Sequence, residues 1–259
     1  MLKPVIIFLR SFPLQIIWWK LLCKFLNKKI PDVKTWQNLF VNKSGIEIGG
    51  PSALFQDGGF LPLYSKIQML DDVNFSTTTI WKNNIAEGNS IGVKNKSGYQ
   101  YIAEGTHLPF AENNQYDFVI SCNNLEHIAN PILAVKEWQR ILKPSGILLI
   151  VVPNKEANFD HHRPYTSISH IIGDFESKVN ELDMTHLEEI LAMHDLSRDP
   201  QARPFKKFKE RCLNNIENRC MHHHVFNDQV LKELITYCQM EVLKQYTSPT
   251  DYYILAKKI

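Results

Sequence analysis

The chain has 259 residues, 44% of them hydrophobic and 22% charged, with a formal net charge of +2. That length and balance exclude a disordered or fibrous chain and suit one large α/β domain carrying an insertion. The near-neutral charge gives no global electrostatic case for a nucleic-acid partner. Five cysteines, Cys23, Cys122, Cys212, Cys220 and Cys238, show neither C-x-x-C pairing nor the density of a disulfide scaffold, so a reducing, cytoplasmic setting is expected.

Residues 1–30 form a basic and apolar opening, with Lys3, Arg10, Lys20, Lys24, Lys28 and Lys29 and no acid, around Trp18 and Trp19. Arg10 and Pro13 break its first apolar run, which lacks the small-residue cleavage site of a signal peptide. The charge-free stretch from Ser11 to Lys20 falls short of the ~20 apolar residues a spanning helix needs. Two readings stay open: a helix packed on the domain, or a Trp-bearing amphipathic helix in peripheral contact with the inner face of the membrane. Residues 1–43 are therefore read as a helical segment preceding a main domain at 44–259.

From residue 44 short apolar runs alternate with helical stretches, the pattern of βαβ units and a mostly parallel sheet with helices on both faces. Strands are expected at 44–48, 66–70, 116–121 and 146–152, the last as a near-continuous apolar run of the kind covered on both faces. A helix is expected over 131–142, where Ile132, Leu133, Val135, Trp138, Ile141 and Leu142 recur at helical spacing before Pro144 and Gly146. The strand pattern stops over 154–225, a polar, His-rich insertion. It resumes with a helix capped by Asn227 and Asp228, then strands at 242–246 and 252–257 joined through Ser248-Pro249-Thr250, which makes the last strand antiparallel.

The strongest chemical signal is Gly45-Ile46-Glu47-Ile48-Gly49-Gly50-Pro51-Ser52, an apolar strand that ends in an acid and breaks into a glycine turn. Such a turn lets a ligand approach the backbone at the carboxyl end of the first strand, where open α/β sheets bind nucleotides. It resembles motif I of class I methyltransferases, E/D-x-G-x-G-x-G, with Glu47 and Gly49 matching and Pro51 and Ala53 in the second and third glycine positions. The missing glycines disfavour a pyrophosphate-binding reading. Asp71 follows Glu47 near the roughly 20-residue spacing at which an acid meets ribose hydroxyls. Its neighbour Asp72 is the alternative.

Glu104-Gly105-Thr106-His107-Leu108-Pro109-Phe110 resembles the D/E-A-x-x-L-P-F element of the same family, whose acid and following N–H meet the adenine. Tyr116-Asp117-Phe118-Val119-Ile120-Ser121-Cys122-Asn123-Asn124-Leu125-Glu126-His127 resembles the fourth-strand motif of the type 11 group, and Leu142-Lys143-Pro144-Ser145-Gly146 the approach to strand five. Four ordered elements over 44–153 therefore identify a likeness to class I S-adenosylmethionine-dependent methyltransferases carrying an E-I-G-G-P-S variant of motif I. The likeness implies a Rossmann-like sheet and S-adenosylmethionine as cofactor. It implies Glu47, Gly49, Gly50, Pro51, Asp71, Glu104, Gly105, Ser121 and Asn123 as the residues around that cofactor. Outside it stand a nicotinamide-dependent oxidoreductase and a binding or scaffold protein that kept the fold without turnover.

Ser121-Cys122-Asn123-Asn124 stands where enzymes acting on planar amide or amino nitrogens often carry N-P-P-Y. The expected acceptor is thus an oxygen of a small-molecule, glycan or lipid-linked substrate, with N-methylation as the alternative. The insertion 154–225 is the expected acceptor site and holds eight of the ten histidines. Similar proteins carry D-H-x-R-P and H-x-H-V-F elements, matched by Asp160-His161-His162-Arg163-Pro164 and His222-His223-His224-Val225-Phe226. Three readings of these histidines stay open: a general base drawn from His161, His222 and His224, a divalent-metal site without H-x-x-x-H or H-E-x-x-H spacing, and structural hydrogen bonding. No metal ligand is assigned. His127 reads as a helix-start histidine bonded to a loop, with a functional role near the methyl site as the alternative; Arg163 and Arg219 read either as grips for an anionic group or as surface charge, and Trp81 and Trp138 as core or core-edge residues.

Overall fold

The computed structural model describes residues 12–82, 84–89 and 92–259. The part of the N-terminal expectation that rests on residues 1–11, with Lys3 and Arg10, lies outside the described residues. The strands are β1 Ser44–Ile48, β2 Met69–Asn74, β3 Gln100–Ile102, β4 Tyr116–Cys122, β5 Leu142–Pro153, β6 Met240–Thr247 and β7 Asp251–Lys258. They form one sheet in the order β3-β2-β1-β4-β5-β7-β6. All neighbours from β3 to β5 are parallel, and β7 runs antiparallel to both β5 and β6. The order reverses between β1 and β4, and at such a switch point the strand ends splay into a crevice. This is the Rossmann-like methyltransferase sheet expected from the motifs, terminal hairpin included.

β5 shows why its sequence is apolar throughout. Leu148, Ile150 and Val152 enter one buried cluster, while Ile147, Leu149 and Val151 enter the cluster on the opposite face. The first face is covered by α3 (Pro131–Ile141), α4 (Ile168–Glu176) and α8 (Asp228–Tyr237). Asn130 and Asn227 cap α3 and α8 by accepting from Leu133 N and Val230 N. The second face is covered by α1 (Leu14–Phe25), α2 (Val33–Asn38) and the loop that carries Phe55, Leu61, Leu63 and Tyr64. The His-rich insertion holds α4, α5 (Leu187–Met193), α6 (Phe205–Leu213) and the single turn α7 (Asn215–Asn218).

Two expectations need correction. The second strand lies at Met69–Asn74 rather than 66–70, because the apolar residues before it, Leu63, Tyr64 and Ile67, are buried as a loop under the sheet. The strand then runs on through two acids, which are tolerated because each is hydrogen-bonded: Asp71 accepts from Tyr99 N and Tyr116 OH, and Asp72 from Gly50 N. β3 was not anticipated. Its three residues are too few to show a period.

α1 packs on the domain with one face only. Ile16 is buried against Phe12 and Ala157, and the Trp19 ring meets Phe60 edge-on at 5.3 Å. The outer face carries Leu14, Trp18, Leu21 and Phe25, exposed by 75%, 64%, 39% and 71%. Among the described residues no helix is long and apolar enough to cross a membrane.

Candidate functional site

β1 ends in a turn that only small residues can make. Gly49 has φ +85°, and a Cβ at Gly50 would lie 2.3 Å from Glu47 Cδ. Glu47 is fully buried beneath this turn, where it accepts from Ser52 N (3.1 Å), Ser52 Oγ (2.5 Å) and Tyr64 OH (2.5 Å). From β2, Asp72 accepts from Gly50 N at 3.1 Å and Asn74 Nδ2 donates to Gly50 O at 3.0 Å. Burial raises the Glu47 carboxyl to about 7 despite the bonds from Ser52 and Tyr64, and burial together with the nearby Glu47 raises Asp72. The two carboxyls thus brace the turn from behind.

In front of the turn lies a cleft of about 500 Å³, within the roughly 300–1,000 Å³ typical of small-molecule sites. Gly49, Gly50 and Pro51 line its floor, Asn74 and Phe75 one wall, Glu104 and Gly105 another, and Asn123 its inner end. Six of the nine expected cofactor residues, Gly49, Gly50, Pro51, Glu104, Gly105 and Asn123, therefore share one cleft.

The other three do not line it. Glu47 supports the turn, and Ser121 is buried at the junction of β4 and β1, its Oγ donating to Ile48 O at 3.3 Å. Asp71 does not reach the cleft at all. It sits mid-strand, bonded to Tyr116 and Tyr99, on the face opposite Asp72 and Asn74, because successive strand residues point to opposite faces. The polar group that the strand end does offer is Asn74, missed because that end was placed four residues early, at 70 instead of 74. Glu104 is not free: it pairs with Arg219, which reaches in from the insertion and lies 5.4 Å over the Phe75 ring.

A second cavity of about 550 Å³ adjoins the first and shares Trp81, Asn123 and His127 with it. Glu126 and His222 line its wall, and Lys207 and Arg211 its outer part. His222 Nδ1 bonds the Asp160 carboxylate, which Arg163 also holds. With Asp160 ionised, that bond places the ring proton on Nδ1 and leaves Nε2 as a lone pair. Burial disfavours charge on His222, but Asp160 and Glu126 outweigh it and the imidazole stays above its ordinary value. Asp160 lies far below the carboxylate range because His222 and Arg163 overcome its burial. Burial lifts Glu126 to about 7, and its Oε2 is buried with no hydrogen-bond partner. Glu126 was not singled out in the sequence beyond its place in the L-E-H element.

Of the three histidines expected as a base, His222 lines the second of these two cavities, and His161 and His224 line neither. His161 Nε2 bonds Asp195 Oδ2 at 2.8 Å, and its ring lies tilted by 40° against that of His162, with the centroids 3.7 Å apart. His224 is buried, with Nε2 3.2 Å from Ala129 O. Arg163 does not grip a ligand either: it is 1% exposed and spends its donors on Asp160, Glu189 and the carbonyls of His222 and His223. His127 meets the expected loop bond, Nδ1 lying 3.1 Å from Met221 O, and also faces both cavities. Trp138 is core, with Nε1 donating to Gly105 O at 2.8 Å. Trp81 is instead 60% exposed, with its ring edge-on to His127 at 5.0 Å.

Residues 69–150 match the family model described as Methyltransferase domain. The match runs from β2 into β5 and spans less than half of the chain. Together with the strand order it supports an S-adenosylmethionine-dependent methyltransferase, and with that an enzyme and its cofactor. Over 51 residues the chain is 47% identical to an uncharacterized protein of Methanocaldococcus jannaschii, a match that covers 20% of this chain and 22% of that protein. The chain thus matches about a fifth of that relative's length. Its structure is similar to one titled as a complex between the Haloferax volcanii Trm112 methyltransferase activator and the putative methyltransferase, with 10% identity, TM-score 0.48 and 87% of each chain covered. It is also similar to a SAM dependent methyltransferase from Aquifex aeolicus, with 12% identity, TM-score 0.46 and 100% of each chain covered. A third likeness is to a SAM-dependent methyltransferase, possible histamine N-methyltransferase, from Thermotoga maritima, with 14% identity, TM-score 0.46 and coverage of 93% of this chain and 95% of that one.

Proposed function

We propose that the chain transfers a methyl group from S-adenosylmethionine, bound over the turn 49–51, to an oxygen of a small-molecule, glycan or lipid-linked acceptor held in the second cavity. One observation carries this reading: the two cavities meet at Trp81, Asn123 and His127, with His222 in the wall of the second. A methyl donor in one and an acceptor in the other would face each other there.

The transfer is an in-line displacement in which the C–S bond breaks as the C–O bond forms, the bonding electrons stay on sulfur, and S-adenosylhomocysteine leaves uncharged. Holding the partners in line supplies most of the rate. The acceptor hydroxyl loses its proton to His222 Nε2, whose ring Asp160 orients, as a carboxylate orients a catalytic histidine elsewhere. In the cofactor cleft Asn74 takes the ribose role that Asp71 cannot reach, and Glu104 takes the adenine amino group in exchange for Arg219. Lys207 favours an acceptor that also carries an anionic group, while Arg211 is paired with Asp199 in the same wall.

Incubation of the pure full chain with S-adenosylmethionine and hydroxyl-bearing acceptors should release S-adenosylhomocysteine, with the new methyl on oxygen by NMR. A product methylated on nitrogen would replace the acceptor assignment. Tight S-adenosylhomocysteine binding without turnover on any acceptor would favour a scaffold protein instead.

We further propose that α1 lies on an anionic membrane surface. The support is a stripe of Leu14, Trp18, Leu21 and Phe25 on its outward face, flanked by Lys20, Lys24 and Lys28, while Ile16 and Trp19 face the domain. Full-length protein is expected to sediment with phosphatidylglycerol vesicles, less so at high salt. Joint replacement Trp18→Ser and Phe25→Ser should weaken that binding by at least about tenfold. Protein that remains in the supernatant at low salt would reject the proposal.

A further inference from the structure

Outside both cavities, the insertion gathers His170 and Asp174 from α4, His186 at the start of α5, and His224 from the segment before α8. One ligand atom from each lies within 4.8 Å of all the others. The geometry points to a structural site for a divalent transition-metal ion of the zinc class, held by three imidazoles and one carboxylate, and we propose that this ion ties three segments of the insertion to one another. The site stands apart from the proposed methyl transfer and does not depend on it.

Distances carry the argument first. His170 Nε2 is 3.1 Å from His186 Nε2 and 3.3 Å from Asp174 Oδ2, and Asp174 Oδ2 is 3.7 Å from His224 Nε2. Four ligands bonded at ~2.0 Å in a tetrahedron are separated from one another by about 3.3 Å, so these side chains stand at the edges of a zinc-sized tetrahedron. His170 and Asp174 are one helical turn apart, a spacing that places both on one face of α4.

Hydrogen bonding carries it second. Asp174 Oδ2 and His224 Nδ1 are buried and have no hydrogen-bond partner, although buried polar atoms are almost always paired. His170 and His186 meet through the same ring atom, so at most one proton can lie between them, and it cannot also serve Asp174. A cation shared by the four resolves this conflict. His224 Nε2 also lies 3.2 Å from Ala129 O. Coordination through Nε2 would move its proton to Nδ1, whereas coordination through Nδ1 would keep the Ala129 bond.

Chemistry sets the ion class. Three imidazoles and one carboxylate suit zinc, and no open position is needed for a structural role. The ligands come from three segments of the insertion, 168–176, 186 and 224. The last of these adjoins Phe226, which enters the core beside β5.

The test uses the full chain without an affinity tag, dialysed against metal-free buffer, reloaded with zinc and washed. Plasma mass spectrometry should find about one zinc per chain, and cobalt in its place should give the intense visible absorption of a tetrahedral ion. The double variant His170→Gln with His186→Gln should lose more than about 100-fold in zinc affinity. His107→Gln, an exposed histidine elsewhere, should not. Circular dichroism checks that the double variant is folded, and a chelator should lower the melting temperature of the wild type but not of that variant. No zinc uptake by the wild-type chain, or equal affinity in the double variant, would overturn the proposal. The second result would assign the ion to another cluster, such as Glu126, His127 and His222.

Discussion

A His222→Gln variant is expected to bind S-adenosylhomocysteine as the wild type does and to turn over an oxygen acceptor roughly 10²- to 10⁴-fold more slowly, the usual worth of a positioned general base. Glutamine fills nearly the same space and can still donate to Asp160, so the buried network that includes Arg163 survives. What it lacks is a nitrogen able to take a proton near neutral pH. Cofactor affinity stays because His222 lines the second cavity and not the first. Steady-state rates beside calorimetry separate the two effects. The neighbour that could replace it is Glu126, raised to about 7 by burial, with Oε2 free of partners. Should Glu126→Gln abolish turnover while His222→Gln leaves it intact, the base is Glu126.

Gly50→Ala is expected to cost at least about 100-fold in S-adenosylhomocysteine affinity, or about 2.7 kcal/mol. A methyl group there would stand 2.3 Å from Glu47 Cδ and 2.8 Å from its Oε1. Glu47 cannot withdraw, since Ser52 and Tyr64 hold it and it has no exposed surface. The turn itself must therefore move, carrying Gly49 and Pro51 away from the cleft floor. Overpacking of this kind also costs stability, typically about 1–3 kcal/mol, so the unfolding midpoint is measured beside the affinity. Gly58→Ala is the matched control, because a Cβ there meets nothing within 4 Å. Equal affinity in Gly50→Ala and wild type would show that the cofactor does not rest on this turn.

The fold was legible wherever a pattern repeated. Ile147 to Val152 read as a doubly covered strand because both faces of β5 are dry, and the Asn227 cap and the turn at 248–250 fell where expected. Patterns misled where apolar residues served another purpose. Tyr64 and Ile67 are buried as a loop, which drew the second strand too early and made Asp71 look like its end. Asp71 turns to Tyr116 and Asp72 turns in beneath Gly50, so the strand meets the cleft through Val73 and Asn74 instead.

Within the site, the glycine turn and Asn123 could be found because each is continuous in sequence with its strand, and Glu104 and Gly105 through the likeness of 104–110 to a family element. The partnership of Arg219 with Glu104, and of Asp160 with His222, joins residues 115 and 62 positions apart and had no local signal. The His-rich insertion shows the same limit. Its histidines were visible as a group, but only the path of the chain sends His222 into a cavity, His161 to Asp195, and His224 toward His170, Asp174 and His186.

A crystal structure of the full chain grown with S-adenosylhomocysteine tests the central claim most directly. The account predicts the adenosyl group between the turn 49–51 and Glu104-Gly105, Arg219 displaced from Glu104, and the sulfur directed past Asn123 toward His222. Density for the ligand at any other surface, or a cleft that stays closed by the Arg219 pair in saturating ligand, would contradict it.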